Sequence, residues 1–407
     1  MPTQLILVRN GIGVNGVSRE PRPGMPTFIC FLGNHRQPGL WRTSFARISP
    51  WDRYLKIAIF MDSIPTMNTL SSPNIAHPTD SSTLAKRESS EFNWPPGHRD
   101  DEDAGTAVKP YFEQLRPYLA ANTMLRGTMI PAVDIPHASD GMKANAHYFS
   151  HPRWMEDWLA AVHRYPELRE RWHAAVGTLD GKVLIDIGCG PGNLLATLGG
   201  RPRIAIGVDI AHGSLVHAAR VGYVPLLADA HHLPLKSGVA DIVAINGSLH
   251  HCDDMPTVLR EAARLVRPGG TLIIDHDPQQ SAWDFRGLAL ILWNLRLPIY
   301  RWLKRGGHCA ADDEQSWAQA TELHHRPGDG ISEQLLHSTL EGLRFRIDIY
   351  PHNHYVGKES LDGVMGRQPL KIRVAQRLSG IDPKSRAAAL SLLCVARREF
   401  ADRAAPG

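Results

Sequence analysis

Val183-Leu184-Ile185-Asp186-Ile187-Gly188-Cys189-Gly190-Pro191-Gly192-Asn193 is the stretch on which the fold turns. A short apolar run interrupted by one acid gives way to three glycines at every second position. Such a run, bounded by a turn signal, fits a strand buried on both faces. Glycine has no Cβ, so the backbone can turn sharply and lie against a bound molecule. In open α/β sheets this strand-to-helix turn is where ligands bind. Spacing narrows the ligand. A dinucleotide site uses G-x-G-x-x-G/A, whose third small residue comes three after the second. Counted from Gly188 and Gly190, that place is held by Asn193.

Downstream residues extend the pattern. The segment 203–208 (RIAIGV) reads as a second buried strand ending at Asp209, with Ile210 next. An acid at a neighbouring strand tip, about twenty residues after the glycines, can accept both ribose hydroxyls. A third strand, 224–227, runs into Ala228-Asp229-Ala230-His231-His232-Leu233-Pro234. A fourth begins at Asp241 and leads to Asn246-Gly247-Ser248-Leu249-His250-His251. Helical spacing over 258–265 stops at Arg267-Pro268-Gly269-Gly270, and 271–275 (TLIID) is a fifth strand. Alternating strands and helices predict a parallel sheet covered on both faces.

In this order the segments resemble the class I S-adenosylmethionine (SAM) methyltransferases. The likeness is to the type-11 group, which includes quinone-biosynthesis and natural-product enzymes, and it covers roughly 180–280. It implies a Rossmann-like, seven-stranded sheet and SAM as cofactor. It also implies cofactor contacts from Asp186, Gly188, Cys189, Gly190, Gly192, Asp209, Ile210, Asp229, Ala230 and Asn246. Asp209 would take the ribose hydroxyls and Asp229 the adenine amino group. The amino-acid end of SAM would meet close backbone groups and favour a carboxylate near its ammonium.

Composition agrees. The chain has 407 residues, 43% of them apolar, enough for a sizeable core. A net charge of +4 is small for this length, so no strong nucleic-acid footprint exists. Cys30, Cys189, Cys252, Cys309 and Cys394 show no paired spacing, which fits a reducing, cytoplasmic setting. No apolar run is long enough for a spanning helix, and Leu5-Ile6-Leu7-Val8 lacks the flanks of a signal peptide. Three regions are expected: a disordered extension over 1–105, a helical cap over 106–180, and the methyltransferase domain over 181–400 with an insertion near 280–328. The stretch 81–103 is charged and almost without aliphatics, so it cannot offset its ordering entropy. Met61 and Met67 precede the first foldable segment, and part of what lies before them is expected to fall outside the natural product.

The substrate side is less specific. In the cap, Tyr148 and Phe149 are pocket candidates, against the plainer reading of helix packing. The segment 285–311 is apolar and aromatic, carries Arg286, Arg296, Arg301, Lys304 and Arg305, and has no acid. Interrupted at Pro298, it suits a lid holding Trp293 and Tyr300 against substrate, peripheral membrane contact through 285–305, or helices with solvated basic faces. His250, His251, His324 and His325 are candidate bases. Asp275, His276 and Asp277 offer metal-ligand types, but neighbours in a strand point to opposite faces, so no metal is expected there. Asn246-Gly247-Ser248-Leu249 is not the Asn/Asp-Pro-Pro-Tyr/Phe loop of enzymes that methylate planar amino nitrogens. No Pro-Cys follows the fourth strand, as cytosine-C5 chemistry needs. The expected activity is methyl transfer from SAM to a small, partly hydrophobic molecule. The alternatives are an RNA or protein methyltransferase and a non-catalytic SAM-binding regulator or partner subunit.

Overall fold

The computed structural model describes residues 4–8, 27–31, 109–127, 129–152, 166–302, 320–324 and 326–400. The chain divides into two units, Met1–Ala58 and Ile59–Gly407. In the first, β1 (Gln4–Val8) and β2 (Thr27–Phe31) pair in parallel, with Ile6 opposite Ile29. These strands fall within the stretch expected to lack regular structure. The segment 81–103, residues 153–165 of the expected cap, residues 303–319 and His325 lie outside the described residues.

The second unit is built on a seven-stranded sheet. Its strands are β3 (Val183–Ile187), β4 (Ile204–Asp209), β5 (Val224–Leu227), β6 (Ala240–Asn246), β7 (Val266–Asp275), β8 (Phe345–His352) and β9 (Ser391–Arg398). The spatial order is β5-β4-β3-β6-β7-β9-β8. All pairings are parallel except the two made by β9. This is the class I methyltransferase sheet expected from the sequence. Chain order reverses between the adjacent strands β3 and β6, and a ligand crevice opens at such a reversal.

Successive strand residues point to opposite faces, so one run feeds two cores. Val183, Ile185 and Ile187 join Ile206, Val243 and Ile274 on one side. Leu184 joins Ala205, Ala244, Ile273 and Val395 on the other. Around the sheet lie α1 (Lys109–Leu115), α2 (Asp140–Tyr148), α3 (Pro166–Val176), α4 (Asn193–Leu198), α5 (His212–Val221), α6 (Met255–Leu265), α7 (Gly287–Trp302), α8 (Glu333–Leu340) and α9 (Leu370–Leu378). Three starts are capped by side chains that accept from a backbone N–H in the first turn. These are Ser139 from Met142, Asp254 from Thr257 and Ser332 from Leu335.

Two elements depart from expectation. The α7 helix runs through Pro298 without a break, since a proline removes one backbone donor but does not by itself end a helix. Between β8 and β9 lie a 3-10 turn (Lys358–Asp362) and α9, which no motif announced. Ile372 and Ala375 of α9 join Ala282, Phe285, Ala289 and Trp293 in a third core, so the insertion is anchored. Among the described residues, no helix is long and apolar enough to cross a membrane.

Candidate active site

The glycine loop sits on the tip of β4. The N–H groups of Gly188 and Cys189 donate to the Val208 carbonyl at 2.8 and 3.1 Å. The Asp209 carboxylate accepts from Gly190 N and Ala211 N, each at 2.8 Å. Burial raises the Asp209 pKa and these backbone bonds oppose it. The glycines do different jobs. A Cβ on Gly188 would lie 2.4 Å from the Ser248 Cβ, where the β6 loop crosses. On Gly192 it would press against Ala218 and Val221 at 3.2 Å, so this glycine lets α4 and α5 pack. On Gly190 it would meet nothing within 4 Å, leaving open space for a ligand beside the backbone.

Asp186 lies behind the loop. It is 1% exposed and accepts from the Tyr223 hydroxyl at 2.5 Å, while that oxygen accepts from Leu195 N at 3.2 Å. The pair ties the end of β3 to the start of α4. Burial pushes the Asp186 carboxyl up to about 7. A carboxyl raised in the folded state stabilises it fully below the unfolded value near ~3.9 and loses that advantage as pH rises through the folded value. Asp186→Asn is therefore expected to remove a decline in stability between about pH 4 and pH 8. Urea denaturation at both pH values measures it, and parallel pH dependence in wild type and variant would discount an uncharged Asp186.

At the tip of β5, Asp229 accepts from His231 N at 2.9 Å and pairs with His231 Nδ1 at 2.6 Å, both through one oxygen. Its other oxygen has His232 Nδ1 at 3.5 Å, too long for a strong bond. Ile210 and Ala230 are half-buried beside these acids. The Cys189 side chain is buried, so its backbone is what can face a ligand. At the end of β6, the Asn246 Oδ1 lies 3.2 Å from His276 Nδ1. The tips of β3, β4, β5 and β6 lie side by side at one end of the sheet, where open α/β sheets bind ligands, and the space beside Gly190 is open. Asp209→Ala should weaken SAM binding by about 1–3 kcal/mol, the range for losing a charged hydrogen-bond partner. Calorimetry on the folded variant tests this, and unchanged affinity would remove Asp209 from the site.

A roof comes from α2 and the turn after it. The Ser214 hydroxyl donates to the Phe149 carbonyl at 2.7 Å, and Gly213 N donates to the Ser150 hydroxyl at 3.2 Å. Asn145 Nδ2 donates to the His251 carbonyl at 3.2 Å. The Phe149 ring meets His251 edge-on at 5.2 Å and Tyr148 at 5.0 Å. Phe149 thus stands between the start of α5 and the β6 loop, with Tyr148 packed against its ring. Trp293 does not join them. It is 8% exposed and packs against Phe285 at 4.9 Å and Trp283 at 6.0 Å, so its surface is spent on core contacts. The Tyr300 side chain lies outside the described residues.

The histidines divide sharply. His250 Nδ1 is 2.7 Å from Asp277, and its Nε2 is 3.4 Å from Glu322. Burial opposes its charge, but the two carboxylates outweigh burial and push its pKa up to about 10. His251 is driven down to about 4 by burial and by its charged neighbour. The His324 N–H donates to the His250 carbonyl at 3.1 Å, and its Nδ1 pairs with Asp329 at 3.2 Å. Sequence reasoning found His250, His251 and His324 but missed Glu322 and the part played by Asp277, which come from distant segments.

Asp275, His276 and Asp277 do not converge. The Asp275 carboxylate is fully buried and accepts from Arg171 Nε and Nη2 at 3.0 and 2.9 Å, and from Trp172 Nε1 at 2.8 Å. Its other oxygen takes His352 Nε2 and His276 N, both at 2.7 Å. Burial opposes its ionisation, yet Arg171 and the histidines hold its pKa well below the usual carboxylate range. Asp277 turns the other way, to His250.

Known proteins match parts of this chain. Residues 185–274 match the type-11 family model described as a methyltransferase domain. An arsenite methyltransferase from Aquipseudomonas alcaligenes is 33% identical over 144 residues, which are 30% of this chain and 41% of that protein. A ubiquinone biosynthesis O-methyltransferase from Leptothrix cholodnii is 30% identical over 137 residues, 31% of this chain and 57% of that one. The match thus spans about half the length of these relatives. A solved SAM-dependent methyltransferase from Thermotoga maritima is similar with a TM-score of 0.37 and 18% identity, covering 62% of this chain and 99% of that one. The chain carries a class I SAM-dependent methyltransferase domain of type 11, whose cofactor is S-adenosylmethionine.

Proposed function

We propose that this chain transfers the methyl group of SAM to a small, partly hydrophobic acceptor. The observation that carries the reading is Phe149, bonded through its carbonyl to the start of α5 and set edge-on to His251, with Tyr148 packed against its ring. An aromatic cover over the crevice suits a small acceptor better than a duplex or a folded protein. SAM supplies a sulfonium-activated methyl group. The protein's part is to place the acceptor in line with it and to keep water out. The Gly190 face, Asp209 and Asp229 would hold the cofactor. His250, charged between two carboxylates, has no lone pair to accept a proton and is unsuited to act as base. Incubation with methyl-labelled SAM and separate small-molecule, lipid, RNA and protein fractions tests the reading. Label in RNA or protein would overturn the acceptor class. SAM binding without transfer to any fraction would favour a non-catalytic regulator.

A second reading concerns lipid. Along α7, Leu288 and Ile291 are each 57% exposed and Leu292 and Leu295 each 51%, while Ala289 and Trp293 are buried. A helix with an exposed leucine-rich face in a segment rich in cations and free of acids fits attachment to an anionic membrane surface through 285–305. The chain should float with phosphatidylglycerol vesicles, and the triple variant Leu288→Glu, Ile291→Glu, Leu295→Glu should remain in the dense fractions. Equal flotation of both proteins would remove this contact.

A further inference from the structure

We propose that His250, His251 and Glu322 bind one divalent transition-metal ion. The site begins with local geometry. A 3-10 turn at Leu249–His251 follows β6 and brings the two consecutive imidazole rings side by side, with centroids 4.0 Å apart. An extended strand would have sent them to opposite faces. Both rings aim Nε2 at one carboxylate. His250 Nε2 is 3.4 Å from one Glu322 oxygen, and His251 Nε2 is 4.0 Å from the other. One donor atom from each residue lies within 4.8 Å of the others.

The opposite ring atoms are held from behind. His250 Nδ1 faces Asp277 at 2.7 Å, and His251 Nδ1 faces the Thr321 carbonyl at 2.8 Å. A carbonyl oxygen only accepts, so the His251 proton sits on Nδ1, and the neutral ring directs its Nε2 lone pair outward. That lone pair faces a carboxylate oxygen, which is also an acceptor. Metal bonds of about 2.0–2.2 Å at a tetrahedral angle put two donors about 3.4 Å apart. That matches the 3.4 Å on the His250 side, while the 4.0 Å on the His251 side is somewhat longer. On the His250 side, the ion takes the place of the proton shared with Glu322. Two histidines and one carboxylate are a recurring ligand set for divalent transition ions. Metal-bound histidines almost always donate their other N–H to a carboxylate or a backbone carbonyl, and here one does each.

The donor side chains are nearly enclosed, with 6, 15 and 9% of their surface exposed for His250, His251 and Glu322. Three protein ligands leave coordination positions for water or an acceptor oxygen. Phe149 stacks edge-on against His251, which puts those positions beside the crevice roof. Any role of the ion in methyl transfer rests on the function proposed above, but the site itself does not.

Cobalt(II) titration of the full chain, first stripped with a chelator, tests the site. A saturable visible absorption spectrum at one ion per chain is expected, with zinc(II) competing. Glu322→Gln and His251→Asn should each weaken cobalt by more than about a hundredfold, and Asp277→Asn by about 10–100-fold, the usual loss for an outer partner. His337→Asn, on α8, should bind as wild type does. Should a variant fail to fold, the wild-type melting temperature decides: a rise with zinc(II), reversed by chelator, supports the site, and no change overturns it. Equal cobalt affinity in wild type and Glu322→Gln would also overturn it. Calorimetry with SAM on the same samples reports the cofactor site independently, so failure of one assignment is distinguishable from failure of the other.

Discussion

Asp275→Ala should destabilise the folded chain by about 3–5 kcal/mol at pH 7, the range for removing one partner of a buried ion pair. The reason lies in what is left behind. Arg171 and Asp275 have no side-chain exposure, and their contact at 2.9 Å is reinforced by Trp172 and His352. Deleting the carboxylate strands a guanidinium and an indole N–H in a dry interior, where each unpaired donor is costly. The Arg171 Nη1 would keep its bonds to the carbonyls of His354 and Val356, which do not neutralise charge. Linkage provides a second readout. The Asp275 pKa is depressed in the folded state, so its stabilisation is present above the unfolded value near ~3.9 and is lost as pH falls through the folded value. Wild type should therefore lose stability more steeply below about pH 4 than Asp275→Asn does. A loss under about 1 kcal/mol in urea denaturation of Asp275→Ala would show that Arg171 relaxes to another partner.

Gly188→Ala is expected to cost about 2–6 kcal/mol and to lower SAM affinity more than tenfold. Two effects add. Gly188 has φ of +69°, a conformation that costs a residue with a Cβ about 1–3 kcal/mol. The new methyl would also lie 2.4 Å from the Ser248 Cβ and 2.6 Å from its Oγ, and overpacking of this kind costs about 1–3 kcal/mol. Ser248 cannot swing aside freely, because its hydroxyl donates to the Ile187 carbonyl at 2.8 Å. Relief by moving the loop instead would disturb the Gly190–Asp209 bond, which is why cofactor binding should suffer. Adding Ser248→Gly should restore the part of the loss due to overlap and leave the part due to backbone strain. If the double variant is no more stable than Gly188→Ala, the steric account fails.

Much of the sheet was legible because buried parallel strands are written as short apolar runs. The 183–187 and 224–227 readings coincide with β3 and β5. The 271–275 reading missed the first five residues of β7, since Arg267-Pro268-Gly269-Gly270 carries turn chemistry but lies in the strand. Local signals also located the glycine loop, Asp209 and Asp229. What remained hidden is held by contacts between distant segments. Tyr223 reaches Asp186 across 37 positions, Asp277 reaches His250 across 27, and Arg171 reaches Asp275 across 104. Hydrophobic periodicity carries no record of such pairs. It also gives no sign of which aromatics fill a core, which is why Trp293 read as a pocket residue yet packs against Trp283 and Phe285.

The antiparallel β9 has a consequence for synthesis. It lies between β7 and β8, yet it leaves the ribosome after both. Until residues 391–398 emerge, the Leu272, Ile273 and Ile274 backbone has no neighbour on its β9 side, and β8 has no sheet partner at all. A nascent chain carrying β3 to β7 would present an open, aliphatic edge, the kind that pairs with other chains. Translational pausing between β7 and β9 should therefore promote aggregation of the unfinished chain, whereas pausing after residues 391–398 have emerged should not.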